Sequence, residues 1–227
     1  LVVDLDPQAS ATWVLGLDPA GDLPGTRSDQ STIADVLERR GVPIGTAVRP
    51  STWDPSILVV PGDRRLQGLE SADPDRLRTD LAELCDEYDA ILVDCPPSLG
   101  SLSRSALTAA RLALVVVEPS ALGLRGIGGV ADLVDDVWDT SNPDLELAGV
   151  VLNRVPPVSR EADRRIDELA RIVGRRSIWS PPIPQRVVVN EAVGQRRSIH
   201  SFGSRAAEPI AAFDALWRRL SRALRQR

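Results

Sequence analysis

The sequence predicts an α/β protein whose sheet is doubly wound, mostly parallel and flanked by helices. Five short apolar runs rich in Val, Ile and Leu recur along the chain without in/out alternation, which is typical of strands buried on both faces of a parallel sheet. Helical patterns separate these runs, and the order strand–helix–strand implies right-handed crossovers. With 227 residues and 43% hydrophobic content, the chain is long enough for one large domain, which we expect to span residues 1–227.

The predicted strands and helices alternate strictly along the chain. The strands are predicted at residues 1–3, 57–60, 90–93, 112–117 and 147–152, and each is bounded by Gly, Pro, Asp or Asn. The helices are predicted at residues 32–40, 74–87, 101–110, 122–138 and 160–173. A Gly- and Pro-rich loop covers residues 18–25. No apolar run approaches the ~18 residues that a membrane-spanning helix needs.

Charge is distributed unevenly along the chain. The net charge is -5, but residues 1–185 carry 18 arginines against 29 acidic residues, whereas residues 186–227 carry 9 arginines against 3. A basic tail on an acidic body can mark a surface that faces a polyanion. General arginine usage also explains such a tail, because every basic residue is Arg and none is Lys. The two cysteines are too few for a disulfide framework, and we expect them reduced and buried in a cytoplasmic protein.

Polar residues follow the predicted strands where each one ends. The first strand is followed by Asp4 and Asp6, the third by Asp94, the fourth by Glu118 and the fifth by Asn153. Ligands of parallel sheets bind outside the carboxyl ends of the strands. Carboxylates gathered at one edge therefore suggest a hydrated divalent cation. Thr12 and Thr32 suit helix N-caps as well as ligands.

Two stretches carry a family resemblance. The segments "LVVDLDPQASAT" and "YDAILVDCPPSLG" resemble the second-strand and Walker B segments of the ParA/Soj partition ATPases, in the deviant Walker A group that includes MinD. The segments "STIADVL", "ILVVPGDRRLQGLE", "VVVEPSALGLRGIGGV", "GVVLNRV" and "IPQRVVVNEAVGQRRSI" with the following "SRAAEPI" continue the resemblance in register. The family opens with a strand and a phosphate loop, KGGxGK[ST]. Because these 227 residues contain no lysine, we expect the sequence to begin after that first strand, loop and helix, as a start without Met also indicates.

The resemblance implies ATP and Mg²⁺ as cofactors and gives three carboxylates a role. Asp6 resembles the family residue that orients the attacking water. An ordinary aspartate is a weak general base, so positioning describes this role best. Asp4 and Asp94 resemble the pair that holds Mg²⁺ through its water shell.

The resemblance also implies contacts with the γ-phosphate, the base and DNA. Pro97 and Gly100 resemble the switch whose backbone senses the γ-phosphate, and Asn153 resembles the residue that reads the adenine edge, since an amide offers both a donor and an acceptor. Four arginines lie in the segment that resembles the family's DNA-contacting region, where each is as readily part of a solvated face. They are Arg186, Arg196, Arg197 and Arg205.

Three classes of function follow from this sequence. The first is an ATPase that dimerises with ATP, binds DNA non-specifically in the nucleoid and is released when a ParB-like activator triggers hydrolysis. The second is MinD-like positioning on a membrane through an amphipathic C-terminal helix, but the same pattern describes a helix packed on its own sheet, which we favour. Its apolar stripe comprises Ile210, Phe213, Trp217, Leu220 and Leu224. The third is a non-enzymatic scaffold, if the natural protein lacks the phosphate loop.

Overall fold

The computed structural model describes residues 1–18, 31–38, 42–69 and 74–225. Most of the predicted loop at residues 18–25 and the last two residues of the predicted helix at 32–40 lie outside these ranges. The described chain forms two compact units. Unit 1 comprises Leu1–Ala110 with Thr140–Asn142, and unit 2 comprises Arg111–Asp139 with Pro143–Arg227.

Unit 1 contains a sheet of four strands in the order β2-β3-β1-β4. The strands are β1 (Val2–Asp4), β2 (Arg49–Pro50), β3 (Leu58–Val60) and β4 (Leu92–Asp94). β1 pairs in parallel with both β3 and β4, whereas β2 is antiparallel and lies at the edge. An edge position suits Pro50, because proline has no N–H to donate to a neighbouring strand. The central position of β1 therefore brings its carboxyl end beside that of β4.

The helices of unit 1 bury their apolar faces against these short strands. They are α1 (Ser10–Val14), α2 (Ile33–Glu38), α3 (Pro74–Ala82) and α4 (Ser101–Ala109), and 3₁₀ turns lie at Ile44–Ala47 and Arg64–Gly68. The shared core includes Val3, Leu5, Ile33, Val36, Val60, Leu66, Leu77, Leu81 and Leu102. Each fully buried aliphatic side chain stabilises the fold by about 1.5–3 kcal/mol. This packing, more than local propensity, holds strands of only three residues in place.

Unit 2 contains a parallel strand pair covered on both faces. The strands are β5 (Leu112–Val117) and β6 (Glu146–Leu152), and the helices are α5 (Ala121–Thr140), α6 (Arg160–Val173), α7 (Val187–Gly194) and α8 (Ala207–Arg225). Successive side chains of a strand point to opposite faces. Val150 and Leu152 pack with residues of α5 and α6, whereas Val151 packs with Leu216 of α8. The doubly wound arrangement is thus visible within this unit.

The predicted fold class is confirmed: the strands are mostly parallel and flanked by helices, at the positions that the apolar runs indicated. The helix predicted at residues 74–87 ends earlier, at Ala82. The cysteine prediction was wrong in one respect, because Cys85 and Cys95 are free but exposed. Cys85 lies beyond the early end of α3, and Cys95 lies just beyond the end of β4. No helix within the described ranges is both long and apolar enough to cross a membrane.

One edge of each sheet carries exposed apolar side chains. Within the described residues, β4 pairs only with β1, and β5 pairs only with β6. Leu92 of β4 is 40% exposed and Val116 of β5 is 58% exposed. Strands of parallel sheets are normally buried on both faces, and unpaired edges of this kind promote association with other chains.

Candidate functional site

Three carboxylates lie together at the carboxyl ends of β1 and β4. Asp4 and Asp94 end the two strands and are directly paired in the parallel register. The backbone of Leu5 donates a hydrogen bond of 2.9 Å to the carbonyl of Asp94, which holds the two strand ends together. Asp6 follows two residues after Asp4. The structure thus brings the three predicted carboxylates to one edge of the sheet, whereas their roles stay predictions.

Asp4 is fully buried and already carries several hydrogen bonds. Its Oδ2 accepts from the backbone N–H of Thr12 and from the Thr12 hydroxyl, both at 2.7 Å, and its Oδ1 accepts from the backbone N–H of Asp6 at 3.1 Å. Burial raises the pKa of Asp4, and the hydrogen bonds from Thr12 oppose that rise. A carboxylate offers about four acceptor sites. Three are used, and because Asp4 is 0% exposed, solvent does not reach the remaining one in this structure.

Asp6 is held by the turn that leads into α1. Its Oδ1 accepts the backbone N–H of Gln8 at 2.8 Å, and its carbonyl accepts the N–H of Ala9, also at 2.8 Å. Ala9 adopts the left-handed conformation, with φ of 51°, which lets the chain reverse into the helix. Within the described residues no donor reaches Oδ2 of Asp6. This arrangement fixes the carboxylate and leaves one oxygen available to orient a water.

Asp94 differs from Asp4 because it reaches solvent. Its partial burial raises its pKa to about 6, and the negative charges of Asp4 and Asp6 add to the rise. A cation beside the group would relieve this repulsion. No group of three His, Cys, Asp or Glu side chains that could hold a metal occurs in the described ranges. Mg²⁺, however, commonly keeps its water shell and needs only one or two carboxylates. The exposed Asp94 can meet a hydrated ion directly, whereas the buried Asp4 has to become accessible before it can share that ion.

We expect Asp94→Asn to raise the melting temperature of the protein at pH 7.5 without Mg²⁺. An acid whose folded pKa of about 6 exceeds its unfolded value of about 4 favours the fold below pH 4 and loses that contribution as the pH rises through 6. The gain should therefore vanish at pH 4, and solvent screening will keep it small. Melting curves of wild type and variant between pH 4 and 8 measure the difference in melting temperature. They are recorded without Mg²⁺ and with about 5 mM Mg²⁺, a roughly saturating level. If the melting temperatures of both proteins depend on pH in the same way, repulsion of Asp94 by Asp4 and Asp6 does not destabilise the fold.

The loop after β4 leads directly into α4. Gly100 lies at the N-cap of α4, where an added Cβ would meet only Ser98 Oγ at 4.0 Å. Pro97 is exposed, and the Ser103 hydroxyl fixes the loop by donating to the carbonyl of Ser98 at 2.6 Å. The first N–H groups of the nine-residue helix α4 therefore follow β4 closely, an arrangement suited to binding an anion. The sensing role of Pro97 and Gly100 stays a prediction.

Unit 2 carries a second group of polar residues, where β5 and β6 end. The backbone of Asn153 donates to the carbonyl of Val117 at 2.9 Å, and its side-chain oxygen accepts the N–H of Arg154 at 2.9 Å. Arg154 has a φ of 52° and pairs with Glu118 at 3.1 Å. A cavity of about 180 Å³ lies here, lined by Glu118, Pro119, Ser120, Arg154, Pro156 and Gln185. Among the described residues no acceptor is seen for the Asn153 amide nitrogen, and its contact with the base stays a prediction.

An acidic or aromatic side chain accompanies three of the four arginines that are predicted to contact DNA. Arg186 binds Glu208 through two hydrogen bonds, at 2.7 and 2.9 Å, and Arg205 binds Glu191 at 2.8 Å. The Arg197 guanidinium lies 5.7 Å from the ring centre of Phe202. Arg196 follows α7 with a φ of 53°. Phosphate contacts by Arg186 or Arg205 would therefore have to compete with a carboxylate.

Helix α8 packs on its own unit, as favoured from the sequence. Leu216 is buried, and Phe213 and Leu220 pack against the same core as Val151. Trp217, at the centre of the predicted apolar stripe, is 51% exposed. The buried face of α8 is therefore centred on the preceding residue, Leu216.

Sequence reasoning missed the part that Thr12 plays. Thr12 is not an N-cap: Ala9 is the cap of α1, and Thr12 lies inside the helix, fully buried, with its hydroxyl on Asp4. Gly62 donates its backbone N–H to that hydroxyl at 2.9 Å. The only signal in the sequence was a threonine eight residues after a strand-end aspartate. No local pattern distinguishes such a threonine from an ordinary core residue.

The structure has a parallel sheet flanked by helices, with aspartates ending two adjacent strands and a helix beginning beyond one of them. Together with the likeness to solved structures, this places the fold among the P-loop NTPase-like proteins. The chain belongs to the AAA domain family, whose model matches residues 1–147, and within it to the ParA/Soj type of partition ATPase.

Two relatives and one solved structure show what the chain is similar to. Chromosome partitioning protein ParA of Myxococcus xanthus is 31% identical over 84% of this chain and 66% of its own length. Sporulation initiation inhibitor protein Soj of Bacillus subtilis is 28% identical over 91% of this chain and 80% of its own. A structure of cobyrinic acid a,c-diamide synthase from Mycobacterium smegmatis, with bound ATP analog and magnesium, matches with a TM-score of 0.70 at 29% identity, covering 82% of this chain and 72% of that one.

Proposed function

We propose that the protein is a partition or positioning ATPase that switches with its nucleotide and uses ATP and Mg²⁺. The observation that carries the proposal is the meeting of Asp4, Asp94 and Asp6 at adjacent strand ends in a chain of ParA/Soj type. Relatives named for chromosome partitioning and a neighbour with bound ATP analog and magnesium support it. In this proposal residues 1–227 belong to one nucleotide-switch domain.

Each carboxylate has a distinct task in the proposed hydrolysis. Asp4 and Asp94 hold hydrated Mg²⁺, which supplies positive charge beside the phosphates when it is bound. Asp6 orients a water through the oxygen that its own turn leaves open. Fixed positioning of this kind is the main source of catalysis in phosphoryl transfer. Gly100 and Pro97 sense the γ-phosphate, and Asn153 reads the base.

The proposed partners are a second copy of the chain, DNA and an activator. The ATP-bound dimer binds DNA without sequence preference through the basic tail, because phosphate contacts require charge and not base readout. A ParB-like activator triggers hydrolysis and release, and the protein works in the cytoplasm on the nucleoid. Membrane binding is not expected, because Leu216, Phe213 and Leu220 of α8 are used in the protein's own core.

The proposed ATPase requires phosphate-loop lysines, and none of these 227 residues is a lysine. We expect the 227-residue chain to show no saturable ATP binding and no turnover, whereas the whole protein binds ATP with Mg²⁺ and hydrolyses it slowly, since backbone N–H groups and lysines of that loop hold the phosphates. We also expect the chain alone to associate through the exposed edges of β4 and β5. Calorimetric titration with ATP, phosphate release and light scattering measure these three properties.

One result would contradict the expected need for the phosphate loop, and another would contradict the ATPase proposal itself. Micromolar ATP binding by a monomeric 227-residue chain would show that other residues replace the loop. A whole protein that carries no phosphate loop and hydrolyses no ATP would favour the non-enzymatic scaffold instead.

A further inference from the structure

A buried junction joins the candidate site to the loop that follows β3. Thr12 lies at its centre, with both its backbone N–H and its hydroxyl directed at Oδ2 of Asp4 at 2.7 Å. The same hydroxyl accepts the N–H of Gly62 at 2.9 Å. Thr12 and Asp4 are both fully buried, at 0% exposure. The hydroxyl therefore uses its one proton and one of its two lone pairs, and no water is required to complete the junction.

The junction leaves little space for movement. A Cβ built on Gly62 would lie 2.8 Å from the backbone oxygen of Asp4 and 3.2 Å from its Cγ. Glycine thus lets the loop after β3 approach the strand end closely. The next residue, Asp63, is also buried. It accepts a hydrogen bond from the Thr32 hydroxyl at 2.6 Å and forms an ion pair with Arg65 at 2.7 Å. The loop that contacts Thr12 is therefore itself held on its other side.

The junction also reaches Asp6. Oδ1 of Asp4 accepts the backbone N–H of Asp6, so the position of the Asp4 carboxylate determines where the Asp6 backbone lies. Thr12 sets the position of that carboxylate through Oδ2. A chain of direct hydrogen bonds consequently runs from Gly62 through Thr12 and Asp4 to Asp6.

We propose that Thr12 is a positioning residue, which fixes Asp4 and through it the turn that carries Asp6. The proposal rests on the proposed ATPase function, in which Asp6 orients the water. Thr12 does not touch the nucleotide or the water in this scheme. At saturating Mg²⁺, where a disturbed Asp4 still holds the ion, loss of Thr12 should reduce kcat while the KM for ATP changes little, because the interaction that is lost matters mainly in the transition state.

The test compares Thr12→Val with Thr12→Ser in the whole protein. Valine keeps the shape and the backbone N–H but removes the hydroxyl, and serine restores it. We expect Thr12→Val to lower kcat by about tenfold or more, as the loss of one well-placed hydrogen bond does, with KM within about threefold. Thr12→Ser should stay within about threefold of wild type in both. Thr46→Val, which removes an exposed hydroxyl that donates to Pro43, is the matched control and should match wild type.

Amide hydrogen exchange at Gly62 provides a readout that needs no nucleotide. Exchange at this amide should accelerate about tenfold or more in Thr12→Val, because its acceptor is lost, and should remain slow in Thr12→Ser. If wild type hydrolyses no ATP, the proposed function fails while this exchange still reports the junction. If wild type is active and folded Thr12→Val has normal kcat, the positioning role is overturned.

The test also covers the case in which Thr12→Val does not fold. Thr12→Ala removes the hydroxyl without placing a methyl group against Asp4 and should show the same loss of kcat if Thr12→Val does not fold. If neither variant folds, or if Thr12→Ser fails as Thr12→Val does, Thr12 serves packing and the proposal is overturned.

Discussion

Replacing Asp6 by Ala should abolish ATP turnover in the whole protein while ATP-dependent dimerisation remains. Asp6 is held by Gln8, Ala9 and Asp4, and within the described part of the chain one of its carboxylate oxygens has no donor. A group that orients the attacking water acts mainly in the transition state, and its removal should cost ~10²-fold or more in kcat. Phosphate-release assays measure the rate, and sedimentation with ATP and Mg²⁺ measures the dimer.

Asp86→Ala is the matched control for this change. Asp86 is an exposed aspartate of the same unit, away from the strand ends, and its loss should leave both turnover and dimerisation near the wild-type values. Turnover within about twofold of wild type in Asp6→Ala would remove the water-orienting role. Loss of the dimer together with turnover would instead place Asp6 in nucleotide binding or folding.

The predictable part of the fold is the part that local patterns determine. The runs that became β5 and β6 are the longest of the five and almost entirely aliphatic, so their composition located them. β2 was missed because Arg49 and Pro50 carry no apolar pattern, and the pair exists only through β3 beside it. α1 was missed because five residues are too few to show a helical period.

The candidate site divides in the same way. Asp4, Asp6 and Asp94 were predictable because parallel topology brings strand ends to one edge. The contact of Thr12 with Gly62 spans fifty positions of sequence, and no pattern near either residue indicates it. The tail shows the same limit, since counting charge revealed an excess of arginine but not that Glu191 and Glu208 bind Arg205 and Arg186.

Replacing both Arg197 and Arg205 by Ala should weaken binding of the ATP-bound protein to unrelated DNA duplexes about equally. Contacts with phosphates carry no sequence information, and each lost contact should flatten the slope of log K against log salt by about one unit. Removing Arg205 also leaves Glu191 without the partner that it binds at 2.8 Å, which adds repulsion to the lost attraction. Turnover without DNA should stay near normal.

The control replaces Arg171 and Arg176 by Ala. Both are exposed arginines elsewhere in unit 2. It removes the same charge, so it separates a specific patch from a general effect of net charge. Fluorescence anisotropy with two unrelated duplexes between 50 and 300 mM salt, roughly the range over which such contacts change most, measures both slopes. A slope as flat in the control as in the tail variant would remove the tail patch from the mechanism.

The pairing of Arg205 with Glu191 allows a second test, in which a substitution should strengthen DNA binding instead of weakening it. If Arg205 faces a phosphate in the bound state, Glu191→Gln should strengthen DNA binding, because the arginine no longer has to leave a carboxylate. A membrane-positioning protein would respond to neither change, and Trp217→Glu would instead release it from anionic liposomes, because the exposed indole is the available apolar anchor on α8. Stronger DNA binding in Glu191→Gln, weaker binding in the double arginine variant and no liposome binding by wild type together fit the partition function. Unchanged DNA affinity in Glu191→Gln, with liposome binding that Trp217→Glu abolishes, would favour positioning on a membrane.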